Sequence, residues 1–193
     1  DKSSVKIRNV GLNSRRIGFY QLLKKSGAKI IFKKIKKKNN ENIGDVHVEC
    51  SKMNPIKANS SFYVSATDEY PIMFIIAALT PGISIFKGIS ELKNKESNRI
   101  LEMQKILAQI GVKSKLYKGI FKVFGTKNIK IKDKKINVGN LGDHRIAMSA
   151  VILSLLTGIP SNIKNFETVG TSAPSFLKII KFLGGKFEIK KTS

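Results

Sequence analysis

The sequence predicts an α/β fold assembled from three copies of one strand–helix–strand–helix–strand–strand unit, the first copy incomplete. Three observations predict it. An amphipathic helix that closes on Gly, followed by a strand that opens on Lys, occurs three times, around Gly27-Ala28-Lys29, Gly111-Val112-Lys113 and Gly184-Gly185-Lys186. A second, more uniformly apolar helix with a short strand after it precedes two of these segments. Of the 193 residues 41% are apolar, enough for a chain of this length to bury a sizeable core in one or two domains.

Taken in order, Val5 to Val10 reads as the opening strand. From Phe19 apolar residues recur at intervals of three and four until Gly27, which supplies the left-handed residue that ends a helix, and a strand follows from Lys29. Asp45 to Glu49 alternates as a short strand between units. The apolar helix Asp68 to Leu79 has Asp68 as a candidate N-cap and tolerates Pro71 in its first turn. Pro81-Gly82 then turns the chain into the strand Ile83 to Phe86. Lys95 to Arg99 opens the next helix, which runs through Met103 to Gly111 and gives way to a strand ending near Leu116. Lys134 to Val138 is a strand, Asp143 to Leu156 an apolar helix, and Asn162 to Phe166 a strand. Thr171-Ser172-Ala173-Pro174 opens the last helix, which closes at Gly184-Gly185 before a strand toward Ile189. The first copy starts past the position of its leading helix, so one helix of six is missing. The chain is therefore expected to be the downstream part of a longer protein.

Composition narrows the function. One Cys (Cys50) excludes a disulfide scaffold and a Cys-based zinc cluster, and two His (His47, His144) leave little for a His-rich metal site, which makes a reducing compartment the default. The longest apolar run, Ile72 to Leu79, is less than half of what a membrane span requires. Lys and Arg number 36 against 13 acids, a formal charge of +23 that also suits a nucleic-acid-binding module. Only five of the 36 are Arg, however, and the Lys residues alternate with Ile and Phe as on a solvated sheet face. A broad positive field also draws in small anions.

The uncommon polar residues gather at the starts of the repeated helices, where unpaired N–H groups favour anions. They are Asp68-Glu69-Tyr70-Pro71, Lys95-Glu96-Ser97-Asn98-Arg99, Asp143-His144-Arg145 and Thr171-Ser172-Ala173-Pro174. Each has an ordinary reading alone: Asp68 a cap, Glu96 and Arg99 a surface pair, His144 beside Asp143 a capping arrangement, Glu91 and Lys93 solvated side chains. If the units share an axis, equivalent helix starts meet on one face. Lys95, Glu96 and Arg99, three and four apart, would then share one helical face. Paired carboxylates and bases beside cations suit proton transfer on an anionic substrate.

These strings resemble the 5-enolpyruvylshikimate-3-phosphate (EPSP) synthase family. Asp68-Glu69-Tyr70-Pro71 is similar to its Asp-Glu-[Phe/Tyr]-Pro segment, Leu92 to Arg99 to its Leu-Arg-Val-Lys-Glu-Ser-Asp-Arg signature, and Asp143 to Met148 to its Asp-His-Arg-Met-Ala-Met signature. Asn9 to Asn13 and Thr171 to Pro174 match in order and spacing. The resemblance implies an inside-out, barrel-like α/β domain with helices buried within βαβαββ units. The 193 residues would form most of the C-terminal domain of a two-domain enzyme whose N-terminal domain is absent. It implies enolpyruvyl transfer from phosphoenolpyruvate to the 5-hydroxyl of shikimate 3-phosphate with release of phosphate, in the cytoplasm, by a monomeric enzyme with no cofactor, metal, nucleic-acid or membrane partner. Position by position, it implies that Asp68 is the acid–base group at the 5-hydroxyl and Lys95 binds shikimate 3-phosphate. Glu96 would handle protons at the phosphoenolpyruvate methylene, and Arg99 and Arg145 would clamp the carboxylate and phosphate with His144 beside them.

The sequence departs from the family pattern at Asn98, where an acid is usual, at Asn94 in place of an apolar residue, and at Thr171, a Lys in some members. The family's Gly-Ser-Lys-Ser phosphate-binding motif is absent, so the fragment alone is expected to be inactive. A UDP-N-acetylglucosamine enolpyruvyl transferase is the nearest alternative, and His144 argues against it because that family reads Asp-Leu-Arg there.

Overall fold

Alternating residues and an Asn39-Asn40 turn build the first sheet. The computed structural model describes residues 3–131 and 133–190. Strands β1 (Ser4–Gly11) and β2 (Lys29–Lys38) both pair antiparallel with β3 (Glu41–Glu49), in the order β1-β3-β2. Asn39 and Asn40 have φ of 50° and 62°, the left-handed pair that matches hairpin twist. Asp45 to Glu49 is thus half of the central strand of this sheet rather than a link between units. Helix α1 (Gly18–Lys25) buries Leu22 and Leu23, and Gly27 at φ 102° turns the chain into β2. Lys33 to Lys38 are exposed along β2, a solvated sheet face as expected.

The second unit is complete. It runs β4 (Lys57–Ala58), α2 (Tyr70–Leu79), β5 (Gly82–Lys87), α3 (Arg99–Gln109), β6 (Lys113–Tyr117) and β7 (Ile120–Gly125). Its sheet has the order β4-β5-β7-β6, with β4 parallel to β5 and the other pairs antiparallel. The first sheet reproduces the β5-β7-β6 part of this order.

The third unit begins alike, with β8 (Ile136–Val138), α4 (His144–Thr157) and β9 (Ser161–Ile163), β8 and β9 being parallel. It then departs from expectation. A short helix α5 (Thr168–Ser172) intervenes before α6 (Phe176–Phe182), so Thr171 to Pro174 close one helix instead of opening the last. Pro174 is the cause: it disfavours the α region at Ala173, which sits at φ −143°, ψ 68°, and the helix restarts only after Ser175. Gly184 ends α6 at φ 89°, yet residues 186–190 form no strand. They pair with no described strand, and so lack the ladder bonds that hold an extended chain as a strand.

Helices α2, α3 and α4 pack against one another with the sheets outside them, the inverted arrangement the resemblance implies. Helix α2 is apolar on every side and almost wholly enclosed, as its composition requires. Its Phe74 lies 4.9 Å from Phe86 of β5 and 4.7 Å from Phe121 of β7, both edge-on. No helix among the described residues is long and apolar enough to cross a membrane.

The end of α2 also rests directly on β7, where Thr126 N–H donates to the Ala78 carbonyl at 2.9 Å. A Cβ on Gly125 would strike the Thr80 and Ala77 carbonyl oxygens, which are backbone and cannot swing aside. Gly125→Ala is therefore expected to destabilise the full-length protein by about 1–3 kcal/mol, seen as a lower urea midpoint.

Candidate active site

The site is organised by one cap. Asp143 precedes α4, and its Oδ1 accepts from the Arg145 and Ile146 backbone N–H groups at 3.0 and 3.4 Å, satisfying the open helix start. Its Oδ2 accepts from Arg99 Nε at 3.0 Å and from the Ser97 hydroxyl at 2.8 Å. Burial alone would raise the Asp143 pKa. The Arg99 hydrogen bond and charge, helped by Ser97 and the Ile146 N–H, more than offset this and hold it below the usual carboxylate range.

Arg99 is the first residue of α3, and its side chain is 1% exposed. With Nε on Asp143, its Nη2 donates to Glu96 Oε2 at 2.6 Å and its Nη1 stands 3.9 Å from Asp68 Oδ1. That Nη1 is buried and makes no hydrogen bond among the described residues. Asp68 Oδ2 in turn lies 3.3 Å from Arg145 Nη2 and 3.4 Å from Arg16 Nη2. Three of the four helix starts named above therefore meet: Asp68, Glu96, Arg99 and Arg145 form one connected network drawn from two units, to which Thr171 contributes no bond.

Several details differ from expectation. Asp68 is not a cap; it sits in a 3-10 turn (Thr67–Glu69) ahead of α2, its carboxylate turned to the three guanidinium groups. Lys95 and Glu96 lie before α3, because Asn98 is its N-cap and accepts from the Leu101 N–H at 3.1 Å. The two therefore share no helical face with Arg99, and Glu96 reaches it from a loop. Lys95 is exposed and has no ion pair among the described residues. His144 is half-buried at the start of α4, beside the network, while Asp143 does the capping. Thr171 is exposed, its hydroxyl donating to the Thr168 carbonyl within α5.

Arg16 was not foreseen, and neither Glu69 nor the buried role of Asp143 was singled out within its helix-start string. Glu69, Asp68 and Arg145 border a groove of about 100 Å³ with Ile72, Met148 and Ile152. Burial pushes the Glu69 pKa up, with the charge of Asp68 adding to it and Arg145 and Arg16 opposing. Carboxylates facing a cluster of guanidinium groups beside a partly apolar groove can bind an anion and move protons next to it. Among the described residues no group of three or more His, Cys, Asp and Glu could hold a metal ion.

Fold and site together define an α/β domain of repeated units that carries a cluster of guanidinium and carboxylate groups. Residues 1–180 match the family model described as EPSP synthase (3-phosphoshikimate 1-carboxyvinyltransferase), and the chain belongs to that family. It is 37% identical over 187 residues to a 3-phosphoshikimate 1-carboxyvinyltransferase of Campylobacter jejuni subsp. doylei, covering 97% of this chain and 42% of that protein. It is 34% identical over 184 residues to the enzyme of that name from Paramagnetospirillum magneticum, covering 95% of this chain and 41% of the relative. The solved EPSP synthase from Acinetobacter baumannii superposes with a TM-score of 0.86 at 29% identity, over 99% of this chain and 44% of that one. The chain thus spans about two-fifths of the length of the relatives it matches.

Asp143 ties acid stability to the site. Its native pKa is lowered, so its contribution is full above the ordinary carboxylate value and is lost as pH falls below that value toward the lowered one. Asp143→Asn is expected to cost on the order of 3 kcal/mol at neutral pH, and to flatten the loss of stability below about pH 4. Urea midpoints of the full-length protein and the variant across that range check both.

Proposed function

We propose that this chain supplies the C-terminal domain of an enzyme that transfers the enolpyruvyl group of phosphoenolpyruvate to the 5-hydroxyl of shikimate 3-phosphate, releasing phosphate. The rest of the polypeptide would complete the cleft, so the 193 residues alone would not turn over. The observation that carries this reading is the connected pair of carboxylates, with Glu96 Oε2 2.6 Å and Asp68 Oδ1 3.9 Å from nitrogens of one Arg99 guanidinium. Membership in the EPSP synthase family supports it.

The chemistry asks for such a set. Adding a hydroxyl across the phosphoenolpyruvate double bond requires a base for the hydroxyl proton and an acid that protonates the methylene carbon. Expelling phosphate and restoring the double bond then requires that proton to be taken back. On this reading Asp68 serves the hydroxyl and Glu96 the methylene. Arg99 and Arg145 give up carboxylate partners to hold the substrate carboxylate and phosphate, fork to fork, with His144 alongside. Lys95, exposed beside Glu96, takes the shikimate 3-phosphate side.

Glu96 is partly exposed and is not the buried partner of Arg99, so its removal should spare the fold. In the full-length enzyme Glu96→Ala is expected to lower phosphate release from the two substrates by about 10²- to 10⁴-fold. Turnover within a few-fold of wild type would refute the assignment.

A further inference from the structure

The chain contains five arginines, and one from each unit, Arg16, Arg99 and Arg145, faces the Asp68 carboxylate. Arg16 is the one that neither the helix starts nor the proposed chemistry uses. Its side chain is 66% exposed, and an exposed ion pair of this kind contributes little to stability. The backbone around it is nevertheless braced on both sides.

Asn13 Oδ1 accepts from the Arg15 N–H at 2.9 Å, its carbonyl accepts from the Arg16 N–H at 2.8 Å, and its Nδ2 donates to Glu41 at the start of β3 at 3.0 Å. At the other end of the turn the Gly18 N–H donates to the Ser65 carbonyl at 3.1 Å. The approach there is so close that a Cβ on Gly18 would collide with the Ser65 side chain and backbone. Ser65 leads straight into the turn that bears Asp68, so the two ends of the ion pair are mounted on backbones locked to each other.

We propose that Arg16 is a positioning residue that holds the Asp68 carboxylate in the orientation needed at the substrate hydroxyl. The inference rests on the reaction proposed above. Arg16 and Arg145 now share Asp68 Oδ2, at 3.4 and 3.3 Å. Once Arg99 and Arg145 turn to substrate anions, Arg16 is the guanidinium left on that oxygen. It fixes the plane of the carboxylate and leaves Oδ1 for the hydroxyl.

The test is steady-state kinetics on the full-length enzyme. Arg16→Ala is expected to lower kcat about tenfold while both KM values stay within about twofold, since misorientation of a reacting group costs rate rather than binding. Arg16→Lys recovers part of the loss, and in an Asp68→Asn background Arg16→Ala costs nothing further, because the residue acts through Asp68. An unchanged kcat, a change confined to KM, or an equal further loss in the Asp68→Asn background overturns the inference while leaving the proposed reaction standing. A wild-type enzyme that releases no phosphate from the two substrates overturns the proposed reaction and this inference with it.

Discussion

The contact on which the rest depends is the buried pair of Arg99 and Asp143. Their side chains are 1% and 0% exposed, and removing two charges from water costs several kcal/mol for each. Further hydrogen bonds offset that cost, and on the carboxylate side they are complete. Here Asp143 accepts four bonds, two from the first turn of α4 and two from the segment that starts α3. The same carboxylate therefore caps one helix and anchors the first residue of another, which fixes how the starts of α3 and α4 face each other. Packing among α2, α3 and α4 sets the distance; this pair sets the register.

Anchoring one edge of the Arg99 guanidinium decides what the other edges can do. Nη1 and Nη2 are aimed at Asp68 and Glu96, and Asp68 passes the link on to Arg145 and Arg16. Every cation in the network is matched by a carboxylate, so the anionic ligands proposed above would enter by exchange, replacing one partner with another in a geometry already built. Such an exchange would be eased by the +23 formal charge of the chain, since a positive field concentrates small anions at a surface.

The repeat was legible because it is written in backbone terms. Gly27, Gly111 and Gly184 all adopt positive φ after a helix, and a glycine at each such place marks the unit without any knowledge of contacts. The four core members of the site were legible because they stand at or just before the starts of α2, α3 and α4. Arg16 was not: it lies in a turn without periodicity, and its partner is 52 residues further on. Glu69 was hidden for another reason, since its raised pKa comes from burial in a groove formed by two units. The face shared by Lys95 and Arg99 was misread because the helix was started too early. Asn98, a strong N-cap type, was the available signal that α3 begins at Arg99. The strand after Gly185 failed because a Gly-Lys junction marks only where a strand could begin, whereas a strand exists only with a partner.

Asn98 also settles how this chain tolerates its departure from the family pattern. An acid there would do two things: cap α3 and place a negative charge near Arg99. The first is kept, since Asn caps a helix as well as Asp and its Oδ1 accepts the Leu101 N–H at 3.1 Å. The second falls to other groups, because Arg99 donates its hydrogen bonds to Asp143 and Glu96 and makes none with residue 98. Replacing acid with amide therefore leaves the anchoring of Arg99 intact and removes one negative charge from a site whose proposed ligands are anions. On charge alone, that substitution favours binding.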